Sequence, residues 1–92
     1  MTRARHTVLI DNDRITVHEW RFSPGAETGH HVHSLAYVVV PLTTGNLRIV
    51  TVEGESVSEL VVGEPYFRAA GAEHNVVNAN DFDFTFIETE LK

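Results

Sequence analysis

The sequence predicts an all-β protein, a single antiparallel sandwich or barrel. Turn signals are dense and evenly spaced: Asp11-Asn12-Asp13, Ser23-Pro24-Gly25, Gly29, Thr43-Thr44-Gly45-Asn46, Glu53-Gly54-Glu55, Gly63-Glu64-Pro65, Gly71 and Asn78-Ala79-Asn80-Asp81. Short runs rich in Val, Ile, Thr, Phe and Tyr lie between them, the pattern of strands in a sandwich or barrel. No segment carries the period of an amphipathic helix.

The runs justify strands one by one. Thr7-Val8-Leu9-Ile10 is apolar enough to be an edge strand that adds to a second copy of the chain, so a homodimer is expected. Leu47, Ile49 and Thr51 alternate with polar neighbours before the turn at Gly54. Leu60-Val61-Val62 runs into the turn at Gly63-Glu64-Pro65, after which Tyr66-Phe67-Arg68 resumes the strand. Phe82, Phe84 and Phe86 share one face, with Asp81, Asp83 and Thr85 on the other. Pro24, Pro41 and Pro65 each stand near a turn or a strand end, where a missing N–H is tolerated.

Length and charge bound the function. With 92 residues the chain is one domain, 1–92, with a modest core that pairing with a second copy would help. A hydrophobic fraction of 42% is ordinary for a globular protein. The formal net charge is -6 and no basic stripe is present, which argues against nucleic acid or an anionic membrane as partner. The absence of cysteine excludes disulfides, thiolate metal sites and thiol nucleophiles. The N-terminal stretch lacks the apolar run of a signal peptide and nothing approaches the length of a membrane helix, so a soluble cytoplasmic protein is expected.

Six histidines are many for this length, and His30, His31 and His33 fall close together. Side chains alternate along a strand, so His31 and His33 point the same way and can share a metal ion, while His30 points outward. Continued in register, the same face takes in Leu35 and Tyr37. His74 follows the small-residue turn Ala69-Ala70-Gly71 and opens a further strand, which makes it the natural third ligand. Neutral imidazoles suit Fe(II), Mn(II), Ni(II), Cu(II) and Zn(II). Parity alone fits a solvated polar face as well, and His6 and His18 carry no signal.

These residues resemble the two motifs of the cupins. The first reads Gly25, five residues, His31-x-His33 and later Gly45. The second reads Gly63, five residues, Ala69-x-Gly71, two residues, His74, three residues, Asn78. Together they cover residues 25–78. The resemblance implies a single cupin domain, a double-stranded β-helix or jelly-roll antiparallel barrel of six to eight strands. It also implies one divalent metal ion per chain, of iron, manganese, nickel or zinc, held by His31, His33 and His74. Ala69 stands where the family has proline. The family's glutamate is absent, since Tyr37 or Val38 occupies its place. The implied site is therefore three histidines, with water, Tyr37 or a substrate atom completing it. Three-histidine cupin sites of this kind hold Fe(II) in thiol and diketone-cleaving dioxygenases. The stretches Glu19–Gly29, 37–42 and Tyr66-Phe67-Arg68 are similar to small bacterial cupins, some named for β-alanine degradation.

A barrel lumen that binds a small molecule needs few polar groups, and the candidates are Tyr37, Arg68, Asn78 and Glu88. Arg68 either clamps a carboxylate or sits on the rim beside Glu64 or Glu73. Asn78 either orients His74 or caps the turn at Asn80-Asp81. Glu88 reaches the metal if the phenylalanine face turns inward. The expected activity is a metal-dependent enzyme of Fe(II) dioxygenase type acting on a small polar acid, thiol or carbonyl compound. A Lewis-acid enzyme such as an isomerase, and a non-catalytic small-molecule binder, are the alternatives. No catalytic residue is assigned from the sequence.

Overall fold

The computed structural model describes residues 2–92. Among them nine strands form: β1 (Arg5–Asp11), β2 (Ile15–Phe22), β3 (His31–Val32), β4 (Tyr37–Pro41), β5 (Gly45–Thr51), β6 (Gly54–Leu60), β7 (Tyr66–Arg68), β8 (Glu73–Asn78) and β9 (Phe84–Leu91). They build two sheets, ordered β1-β2-β9-β4-β7 and β3-β8-β5-β6, with antiparallel ladders throughout. The all-β expectation holds and no helix is present among the described residues. The strand count exceeds the six to eight expected, because the short β3 and β7 each form a separate edge.

The core lies between the sheets. Strand β4 buries Tyr37, Val39 and Pro41 and turns Val38 and Val40 partly outward, the alternation of a half-buried strand. Phe22 faces Phe84 and Trp20 faces Phe86 across the β2–β9 ladder. Leu47, Leu60 and Val76 meet them from the opposite sheet. Phe84 and Phe86 are buried as the alternation demanded, but Phe82 is 43% exposed. It precedes the start of β9, so strand parity does not govern it.

Two runs read as continuous are not. Between His33 and Tyr37 the chain leaves β3 in one sheet and enters β4 in the other. Tyr37 therefore reaches the face of His31 and His33 by facing it across the barrel, not by strand register. Likewise β6 and β7 belong to different sheets, so Tyr66-Phe67-Arg68 opens a new strand beyond the turn at Gly63.

Asn78 ties the end of the barrel together. Its amide donates to the carbonyls of Phe22, Ser23 and Phe82 at 3.2, 3.2 and 2.8 Å. Its Oδ1 accepts from the Asn80 backbone N–H at 2.9 Å and the Asn80 side-chain amide at 2.7 Å. With 2% exposure and its hydrogen-bonding capacity spent on the loops, Asn78 is part of the framework and does not line the lumen.

Candidate metal centre

Three imidazoles converge at one end of the lumen. Strands β3 and β8 pair so that His31 lies directly opposite His74. His33 falls just past the end of β3, yet its backbone stays in line: its N–H donates to the Ala72 carbonyl at 2.8 Å, and its carbonyl accepts from Gly71 N–H at 2.7 Å. Gly71 adopts φ +106°, a conformation side chains disfavour, and this lets the turn into β8 fold back onto His33. The Nε2 of His33 lies 3.0 Å from that of His31 and 3.2 Å from that of His74. Each pair of rings meets edge to face, with centroids 4.7 to 5.1 Å apart.

The donor set fits a divalent cation. The Nδ1 of His31 lies 2.8 Å from the Gly29 carbonyl oxygen, which can only accept. The ring proton therefore sits on Nδ1, and Nε2 presents a bare lone pair to the centre. Burial, followed by the proximity of His31, pushes His33 and His74 down to about 4, so both are neutral ligands at pH 7. Packed with their Nε2 atoms facing, the three imidazoles present a donor set that a cation between them would satisfy. The loop below is braced by Asn75, whose Oδ1 accepts from Gly29 N–H at 2.9 Å. Thr28 Oγ1, in turn, accepts from Val76 N–H at 3.1 Å.

The histidines open onto a cavity of about 30 Å³, lined by His31, His74, Tyr37, Tyr66, Trp20 and Glu88 among others. That is room for roughly two water molecules or a small functional group. Tyr37 stacks on His33 at 4.1 Å between centroids and is 3% exposed. Burial pushes its phenol up to about 12, so it stays protonated, a hydrogen-bond donor and not a phenolate ligand. Glu88 lines the same cavity and is 7% exposed; burial, then Glu90, pushes its carboxyl up to about 7. Arg68 does not line the cavity. Its exposed guanidinium lies 4.7 Å above the ring of Tyr66, at the rim, without an ion pair to Glu64 or Glu73. His30 points outward and pairs with Glu73 at 3.2 Å.

Sequence reasoning passed over His18 and Glu90. They share the inward face of β2 and β9 with Glu88, and their donor atoms lie within 4.8 Å of one another. The signal was parity: His18, Trp20 and Phe22 alternate on β2 just as Phe84, Phe86, Glu88 and Glu90 do on β9.

No family model matches the sequence. The chain is 56% identical over 90 residues to the β-alanine degradation protein BauB of Pseudomonas aeruginosa, covering 98% of this chain and 95% of that protein. The crystal structure of a cupin domain from Bordetella pertussis Tohama I superposes with a TM-score of 0.97 at 54% identity, over 99% of this chain and 95% of that one. A cupin 2 conserved barrel domain protein from Salinispora arenicola superposes with a TM-score of 0.75 at 19% identity, over 97% of this chain and 76% of that one, which is a likeness of fold alone. With two nearly full-length relatives above half identity, a double-stranded β-barrel and the paired motifs at residues 25–78, the chain belongs to the cupin superfamily, among the small cupins that include BauB.

Proposed function

We propose that the chain is a metal-dependent enzyme, of Fe(II) dioxygenase type, acting on a small carboxylate or carbonyl compound. The observation that carries this reading is the convergence of three imidazole Nε2 atoms at the head of a small lumen. His31, His33 and His74 would hold the ion. A divalent ion held by three imidazoles would supply a Lewis-acidic centre of net charge near +2.

The chain's own residues set what can enter. At about 30 Å³ the cavity takes one end of a small molecule, a carboxylate or a carbonyl group, and excludes bulk water. The Tyr37 phenol, neutral at working pH, can donate to an oxygen of that group. Arg68 at the rim draws anions toward the mouth of an otherwise acidic protein. A role in β-alanine degradation, the name carried by the 56% identical relative, agrees with a small carboxylate as substrate.

The test is elemental analysis of untagged protein from cells given no added metal, followed by oxygen-electrode measurements with three-carbon carboxylates and their semialdehydes. Iron with substrate-dependent oxygen uptake is the expected result. A redox-inert metal in a protein that turns over without consuming oxygen would replace the dioxygenase reading with a Lewis-acid one.

We further propose that the chain works as a homodimer. Strand β1 is an edge of the five-stranded sheet, exposed along its whole length, with Val8, Leu9 and Ile10 each about half exposed. Such an edge recruits another strand. Light scattering at micromolar concentration should report twice the chain mass, and a monomer would contradict the proposal.

A further inference from the structure

A second set of metal-ligating side chains lies on the β2–β9 ladder and shares the lumen with the three imidazoles through Glu88. His18 on β2 lies directly opposite Glu88 on β9, and Glu90 follows on the same face. The three donor atoms lie within 4.8 Å of one another. His18 Nε2 and Glu90 Oε1 are 2.5 Å apart, a hydrogen bond in which the imidazole N–H donates to the carboxylate. On the far side of the ring, His18 Nδ1 lies 2.6 Å from His6 Nε2. His6 is clamped between His18 and Trp20, with ring centroids 4.8 and 4.4 Å away.

We propose that His18, Glu88 and Glu90 form a second divalent-cation site, with His6 as the outer partner that orients His18. A bound cation would take the place of the proton in the His18–Glu90 hydrogen bond.

Glu88 brings a carboxylate oxygen to the cluster from inside the lumen. Its side chain is 7% exposed and lines the lumen, where its carboxylate accepts from the Trp20 indole N–H. The Trp20 indole N–H favours its ionised form, but burial and the Glu90 charge oppose it. Two carboxylates held this close repel one another when both are ionised. A divalent ion cancels both charges at once.

The chemistry separates this site from the first. Three neutral imidazoles leave a bound ion near +2, whereas one imidazole and two carboxylates leave it near neutral. A mixed nitrogen and oxygen donor set of this kind suits Zn(II) and Mn(II). The outer contact of His6 with Nδ1 of His18 repeats the contact of the Gly29 carbonyl with Nδ1 of His31.

Zn(II) titration of chelator-stripped protein by calorimetry, with elemental analysis after dialysis, decides the matter. Wild type should take up two equivalents. Glu88→Gln with Glu90→Gln, isosteric changes that remove buried charge and so preserve the fold, should take up one. His31→Ala with His74→Ala should also take up one, at the remaining site. His6→Ala should keep two equivalents and weaken one of them by about ten- to a hundredfold. A wild type that binds one equivalent, kept in the glutamine pair and lost in the alanine pair, overturns the second site and leaves the three-histidine reading intact. Two equivalents retained in the glutamine pair overturn it as well. Two equivalents in the alanine pair would instead overturn the three-histidine reading, and the glutamine pair would still decide the second site.

Discussion

Alanine at both His31 and His74 is expected to weaken ion binding at the lumen head by at least about a thousandfold, roughly 4 kcal/mol, while the barrel stays folded. Two of three nitrogen donors vanish, and what is left is His33 alone on a loop. The fold survives because backbone bonds hold this region: His33 N–H on the Ala72 carbonyl, Gly71 N–H on the His33 carbonyl, and the β3–β8 ladder. The imidazoles add little to that scaffold, since only His33 is buried and their nitrogens are directed at one another. Calorimetric titration together with circular dichroism reads both halves of the expectation. An unfolded variant would mean that the histidines are structural.

The second large effect concerns Glu88. Its carboxyl titrates near 7 in the fold against 4.5 as the ordinary value, because burial and Glu90 disfavour the charged form. Between those two pH values the folded state holds a proton that the unfolded chain has released, so stability falls as pH rises through the window. Above about 7 the cost is complete, and a displacement of this size corresponds to roughly 3 kcal/mol. Glu88→Gln keeps the shape and removes the titration. Relative to wild type, in chelator, the variant should gain about 2–3 kcal/mol on going from pH 4 to pH 8, measured by urea unfolding. His33 and His74, pushed down to about 4, act in the opposite sense below about pH 6.5 in both proteins and drop out of the difference. A difference that does not change with pH would place Glu88 in contact with solvent. A carboxylate that destabilises the metal-free barrel is understandable if the residue serves a bound cation.

Much of the site could be read from the chain because its determinants are local. His31 and His33 share a strand face, and Gly71, which alone among residue types takes φ +106° without strain, marks the turn that brings His74 beside them. The placement of Tyr37 against His33 was anticipated for a reason that does not hold. Ser34-Leu35-Ala36 contains neither glycine nor proline, so nothing in the composition marks the crossing from one sheet to the other. Phe82 failed for a similar reason, since alternation continued past the point where β9 begins. Asn78 satisfied the motif spacing, but its partners Phe22 and Ser23 lie more than fifty residues away, so the bonds that occupy it are visible only in three dimensions. The His18, Glu88 and Glu90 cluster rests on the pairing of β2 with β9, ends of the chain some seventy residues apart. Its members each obey strand parity; only the register that sets His18 opposite Glu88 makes them a group.

X-ray absorption on the His18→Ala variant loaded with one equivalent of zinc tests the central claim most directly. This variant keeps the lumen-head imidazoles as its one intact donor set. The account predicts three imidazole nitrogens at about 2.0–2.1 Å, with oxygen completing the shell. A shell with fewer than three imidazoles, or one dominated by carboxylate oxygen, would contradict it.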